Sequence, residues 1–194
     1  MILRETGRSN HDVAATLRAI DRQTGPSILV GHSWGGTAML AAADQVPEAR
    51  AVCTIAAPAD PAHVAKLFRS SLAEIEAEGE AEVMLGGRSF RIKKQFLDDI
   101  ADWALRPKIA TLNKALLLFH SPTDALVGIE NAGLIFKAAK HPKSFVSLDR
   151  ADHLLSREGD AAYVGSLLVP WAARYLSMEA PAPIADTGTV VVSE

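Results

Sequence analysis

Four short and almost uninterrupted apolar runs constrain this chain most: Ser27–His32, Ala51–Ala56, Lys114–Phe119 and Ser144–Leu148. Each is bounded by turn-forming residues. None alternates polar and apolar, as a strand with one wet face would. Such runs suit parallel strands covered on both faces. Parallel neighbours need long crossovers, and helical patterns lie between the runs. Val13, Leu17 and Ile20 share one face after an Asn10 cap, and Gly25-Pro26 ends that helix. Thr37–Val46 is alanine-rich and stops at Pro47. Ile129–Ala139 carries Lys137 and Lys140 in its last turn, where cations favour the helix dipole. Ala161–Leu176 is apolar enough to dock, with Pro170 expected to kink or interrupt it. Strands alternating with helices predict an α/β fold with right-handed crossovers.

The interval 60–107 breaks the alternation. Asp60-Pro61 reads as a helix start, followed by a stripe of Val64, Leu67, Phe68, Leu72 and Ile75. Glu74, Glu76, Glu78, Glu80 and Glu82 form an acidic run, expected to be a solvated face. Glu82–Leu85 and Arg88–Ile92 flank Gly86-Gly87 as a hairpin. Phe96, Leu97, Ile100 and Trp103 continue as a helix. The block reads as a helix–hairpin–helix insertion between two sheet strands, with the character of a lid. The expected organisation is therefore a core over 1–178, the insertion at 60–107, and a linker or tail over 179–194, where Ala-Pro repeats precede three valines.

Composition removes several function classes. Apolar residues make up 48% and charged residues 22% of the 194, a globular balance rather than a disordered one. The net charge of −3 leaves no basic excess to neutralise phosphates, so nucleic acid is not an expected partner. The single cysteine, Cys53, cannot form an internal disulfide and fits a reducing compartment as a buried core thiol. No apolar run reaches the roughly 18 residues of a membrane span. Met1–Glu5 lacks the start of a signal peptide. A cytoplasmic location away from membranes is expected. No Cys/His cluster has zinc spacing and no glycine-rich phosphate loop is complete, so no cofactor is called for.

Gly31-His32-Ser33-Trp34-Gly35-Gly36 matches G-x-S-x-G, follows an apolar run and opens a helical one. That context makes the motif informative. A sharp strand-to-helix turn pushes the central side chain out of the sheet, and the flanking glycines are expected to avoid backbone clashes. Ser33 then sits at a helix N-terminus, where free N–H groups favour developing negative charge. The competing reading is a glycine-rich turn with an incidental serine. A serine hydroxyl needs a base oriented by a carboxylate. His153 lies in a loop after the last strand run, at the strand edge where ligands gather in open α/β sheets. His32 is inside the turn and expected to point away from Ser33. His120 ends a strand and reads as structural. His63 sits on the insertion helix, and His11 and His141 read as surface residues. Asp124, just past Phe119, is the favoured acid, with a turn or cap as its other reading. Asp152 is the rival, but adjacent residues rarely form an imidazole–carboxylate bond.

The order Ser33, Asp124, His153 is that of the α/β hydrolases, and the chain resembles that superfamily. More narrowly, it resembles the hydrolase half of bacterial proteins that carry an OsmC-like domain after the hydrolase. The segments that carry this are Gly31–Gly36, Ala57–Val64, the Gly86-Gly87 hairpin, His120–Asp124 and Lys140–Phe145, within about residues 9–176. The resemblance implies Ser33 as nucleophile, His153 as base, Asp124 as its acid, and the valine-rich tail as the start of a second domain. The family has several strands before the elbow strand, including one followed by a His-Gly oxyanion loop, and nothing before Ser27 supplies them. The fold expected is thus a truncated α/β-hydrolase fold with a mainly parallel sheet, flanking helices and the inserted lid.

The Trp34 N–H remains one oxyanion donor, and losing the second costs about 10²–10³ in rate, so weak turnover is expected. An elbow strand left at a sheet edge wants a partner, which makes a homodimer a further expectation. The expected reaction is hydrolysis of small carboxylic esters through an acyl-enzyme. The alternatives are a catalytically idle interaction module, or thioester hydrolysis or perhydrolysis at the same site. Phe68, Met84, Phe90, Phe96 and Trp103 either line an acyl pocket under the lid or form a small satellite core.

Overall fold

A computed structural model of the protein describes residues 27–60, 69–85, 88–101 and 105–176. The four apolar runs form one parallel sheet: β1 (Ile28–His32), β2 (Ala51–Ile55), β5 (Ala115–His120) and β6 (Lys143–Ser147), in the order β1-β2-β5-β6. The register pairs Val30 with Cys53, Cys53 with Leu117, and Leu117 with Ser144. All four strands therefore end at one edge.

Helices cover both faces. α1 (Trp34–Ala42) continues into a short 3₁₀ turn over Ala43–Gln45, so the helix expected at 37–46 starts three residues earlier. α4 (Leu105–Ala110) and α5 (Glu130–Ala138) lie on the same face as α1. Successive strand residues point to opposite faces, and the core divides accordingly. Val52, Leu116 and Leu118 pack with Leu40, Ile109 and Ile135. Cys53, Leu117 and Phe119 pack with Val164 of α6 (Asp160–Leu176), with Leu168 and Trp171 against them. β2 and β5 are buried almost throughout, as expected of strands covered twice. β1 and β6 are not: Val30 is 41% and Phe145 41% exposed. Among the described residues each of these two strands has one neighbouring strand.

Of the kink or interruption expected in α6, the interruption does not occur: the helix runs on through Pro170. Pro170 and Ser166, four residues before it, both lie on the exposed side of the helix, where water can serve the carbonyl that Pro170 cannot. The docking side chains lie on the opposite face.

The insertion contains α2 (Leu72–Glu78), β3 (Glu80–Leu85), antiparallel β4 (Arg88–Lys93) and α3 (Lys94–Ala101). Ile75, Ala81, Val83 and Ile92 form its own small core, with Leu72, Phe90 and Leu97 packed against it. The acidic run faces outward, except Glu80, which is half-buried and pairs with Arg91 at 3.3 Å. Met84 is 64% exposed and lies outside this core, whereas Phe90 packs against it. The helix expected after Asn10, the start of the stripe at 61–68, Gly86-Gly87, Trp103 and the tail at 179–194 lie outside the described residues. The side chains of Phe96 and Ile100 lie outside them too. No helix among the described residues is long and apolar enough to cross a membrane.

Candidate functional site

The turn between β1 and α1 sets the site. Ser33 has φ 53° and ψ −128°, a conformation that L-residues rarely adopt and that costs about 1–3 kcal/mol. The surrounding backbone enforces it. The Ser33 N–H donates to the Ile55 carbonyl at 2.7 Å, and the Ser33 carbonyl accepts from the Gly36 N–H at 2.9 Å. A Cβ on Gly31 would lie 2.3 Å from the Gly35 carbonyl oxygen, and one on Gly36 would lie 2.8 Å from the Ala57 Cβ. One on Gly35 would meet nothing within 4 Å. The motif's glycines are thus unequal. The close approaches fall on Gly31 and Gly36, so the reading that both glycines flanking Ser33 avoid a clash holds for Gly31 alone. The Thr37 hydroxyl donates to the Pro58 carbonyl at 2.7 Å and ties α1 to the loop after β2.

Two loops complete the site at the carboxyl edge of the sheet. Asp124 follows β5, and its side chain is fully buried. Its Oδ1 accepts from the Leu126 and Val127 N–H groups at 2.9 Å each, and its Oδ2 accepts from His153 Nδ1 at 2.7 Å. Burial alone pushes this carboxyl up. The hydrogen bonds from His153, Val127 and Leu126 together outweigh it and hold the carboxyl below its ordinary value. His153 follows β6, and its Nε2 lies 2.8 Å from Ser33 Oγ. A carboxylate only accepts, so Nδ1 carries the imidazole proton and Nε2 is left to accept from the Ser33 hydroxyl. The Thr123 hydroxyl donates to the Ala151 carbonyl at 3.2 Å and links the two loops.

The competing residues fall elsewhere. Asp152 is exposed, and its Oδ1 accepts from the Ser156 N–H at 2.8 Å. His120 is buried, and its Nε2 donates to the Val127 carbonyl at 2.8 Å while standing 3.8 Å from Asp124. That bond shapes the Asp124 loop. His141 is exposed, and His11 and His63 lie outside the described residues. Trp34 opens α1, so its N–H belongs to the helix's first turn beside Ser33. Its indole packs on the insertion's small core. Sequence reasoning gave His32 no part in the site, yet its Nε2 lies 2.6 Å from the His153 carbonyl. The available signal was its place at the end of β1, at the edge where the loop carrying His153 also begins. Burial makes Cys53 an inert thiol, pushed up to about 12.

A strained serine at a strand-to-helix turn, joined to a histidine and a buried carboxylate, matches the comparison with known proteins. The alpha/beta hydrolase family matches residues 4–192. The chain belongs to the alpha/beta hydrolase family. A crystal structure of the esterase domain of a Rhodothermus marinus protein is 51% identical, with a TM-score of 0.76, over 88% of this chain and 70% of that one. Mouse alpha/beta hydrolase domain-containing protein 10 is 22% identical, with a TM-score of 0.62, over 85% and 68%. Est1E from Butyrivibrio proteoclasticus is 15% identical, with a TM-score of 0.57, over 77% and 60%. The last two share the fold. No curated protein matches the chain significantly.

Proposed function

We propose that this alpha/beta hydrolase cleaves small carboxylic esters through an acyl-enzyme on Ser33. The observation that carries the reading is the unbroken relay from Ser33 Oγ to His153 Nε2 at 2.8 Å and from His153 Nδ1 to Asp124 at 2.7 Å. The 51% identity to a protein described as an esterase domain supports the choice of esters. In this reading His153 takes the Ser33 proton as the hydroxyl oxygen attacks the ester carbonyl. Asp124 holds the imidazole in its tautomer and stabilises the imidazolium. The Trp34 N–H, at the positive end of α1, helps bind the oxyanion. The imidazolium then protonates the leaving alcohol. Water, deprotonated by His153, releases the acid and restores Ser33.

The test is hydrolysis of p-nitrophenyl acetate and butyrate by the protein and by Ser33→Ala. The variant is expected to fall to the rate of buffer plus nonspecific protein. Equal rates in both proteins would overturn the assignment of Ser33.

A further inference from the structure

His32 ends β1, directly before Ser33, yet its side chain serves a loop 121 residues further on. Its imidazole is half-buried, with the ring centroid 5.1 Å from that of His153 at a 45° tilt. Nε2 lies 2.6 Å from the His153 carbonyl oxygen. A carbonyl only accepts, so His32 donates through Nε2–H. The segment from Asp149 to Gly159 lacks helix and strand, and it is held by Ala151 and Leu155 packed in the apolar core and by side-chain bonds to its carbonyls. One is the Thr123 hydroxyl on the Ala151 carbonyl. The other acts on the residue whose ring must reach Ser33. Burial lowers the proton affinity of His32, which keeps the ring neutral beside His153.

We propose that His32 is a positioning residue of the Ser33 site. Its Nε2–H bond to the His153 carbonyl fixes the depth of the 153 loop, so that the His153 ring spans Ser33 Oγ and Asp124 Oδ2. Because His32 and Ser33 are consecutive, one rigid turn sets both the serine and the height of its base. A displacement of about 1 Å at a reacting centre costs up to about 100-fold in rate. Such a loss is expected in kcat, since the bond acts on the residue that serves as the base.

The inference rests on the proposed serine-hydrolase reading, but its test does not require turnover. His32→Leu removes the donor, His32→Asn shortens its reach, and His32→Gln places an amide N–H near the position of Nε2. Two readouts are taken on the full chain: kcat and KM for p-nitrophenyl butyrate, and the low-field proton resonance of the His153 Nδ1–H bond to Asp124. The leucine and asparagine variants are expected to lose kcat by about 10- to 100-fold with KM little changed, and to lose or broaden the resonance. The glutamine variant is expected to recover most of both. If His32→Leu fails to fold, the glutamine and asparagine pair carries the comparison. The inference is overturned if glutamine and asparagine behave alike, if either the leucine or the asparagine variant keeps the wild-type resonance and kcat, or if the wild-type protein shows no such resonance. A wild-type protein that shows the resonance and hydrolyses no ester would overturn the esterase reading alone, and the resonance of the variants would still decide the role of His32.

Discussion

Ser33 occupies a backbone conformation that its neighbours make unavoidable, and the cost falls on two glycines rather than three. The added Cβ at Gly36 meets Ala57 at 2.8 Å and the Gly31 carbonyl at 3.0 Å, both inside the packed turn. Gly36→Ala should therefore destabilise the protein by about 1–3 kcal/mol, the usual cost of overpacking. Gly35→Ala should be neutral or stabilising by up to about 1 kcal/mol, because a helical glycine with open space gains propensity as alanine. Thermal unfolding of the two variants checks the contrast, and equal midpoints would contradict it. Asp124 carries a pH signature. Its folded value lies below the unfolded value of about 3.9. Its contribution to stability is therefore complete above about pH 4 and is lost as pH falls through the folded value. Asp124→Asn cannot titrate, so its stability should fall less steeply below about pH 4 than that of the parent. Denaturant midpoints measured from pH 6 to pH 2.5 test this, and parallel profiles would contradict it. The sequence could name Ser33, Asp124 and His153 because strand ends and motif spacing are local. It could not separate Gly35 from Gly36, nor find the use of His32, because Ala57 and the His153 carbonyl are brought there only by the fold.

At the scale of elements, the strands of the parallel sheet are readable to within a residue because short apolar runs bounded by turn residues, with helical patterns between them, suit a sheet covered on both faces. Helix ends were less so. Lys140 was expected to complement the last turn of α5, but α5 ends at Ala138 and Lys140 lies beyond it. Lys143, the first residue of β6, takes that role. Its Nζ donates to the Phe136 carbonyl at 2.9 Å and the Ala139 carbonyl at 2.7 Å, and it stands 4.6 Å from the Phe136 ring centroid. A helix end capped from the following strand has no signature in helical periodicity. Lys143→Met should cost about 1–2 kcal/mol, below the upper range for charged hydrogen bonds because the residue is only half-buried. That corresponds to a fall of roughly 2–8 °C in Tm for a domain of this size. Lys140→Met should leave Tm unchanged, and equal effects of the two substitutions would contradict the assignment. The insertion's helix and hairpin were also readable, from Ile75 through Ile92, because their apolar residues serve a core of their own.

At the scale of the whole molecule, the fold's contribution is to bring three distant positions to one edge. β1 ends at His32, β5 at His120 and β6 at Ser147, and the turns that follow carry Ser33, Asp124 and His153. Parallel pairing makes these ends coincide, and helices on both faces hold the sheet rigid beneath them. The insertion meets the same edge through the Trp34 indole. In the proposed reading, this assembly makes Ser33 a nucleophile. The most direct measurement is the mass of the intact protein after exposure to a fluorophosphonate, with the labelled peptide identified. A single adduct on the peptide carrying Ser33, absent from Ser33→Ala and much slower to form in His153→Ala, is the predicted result. A protein that gains no adduct, or gains it equally with Ser33 replaced, would contradict the account.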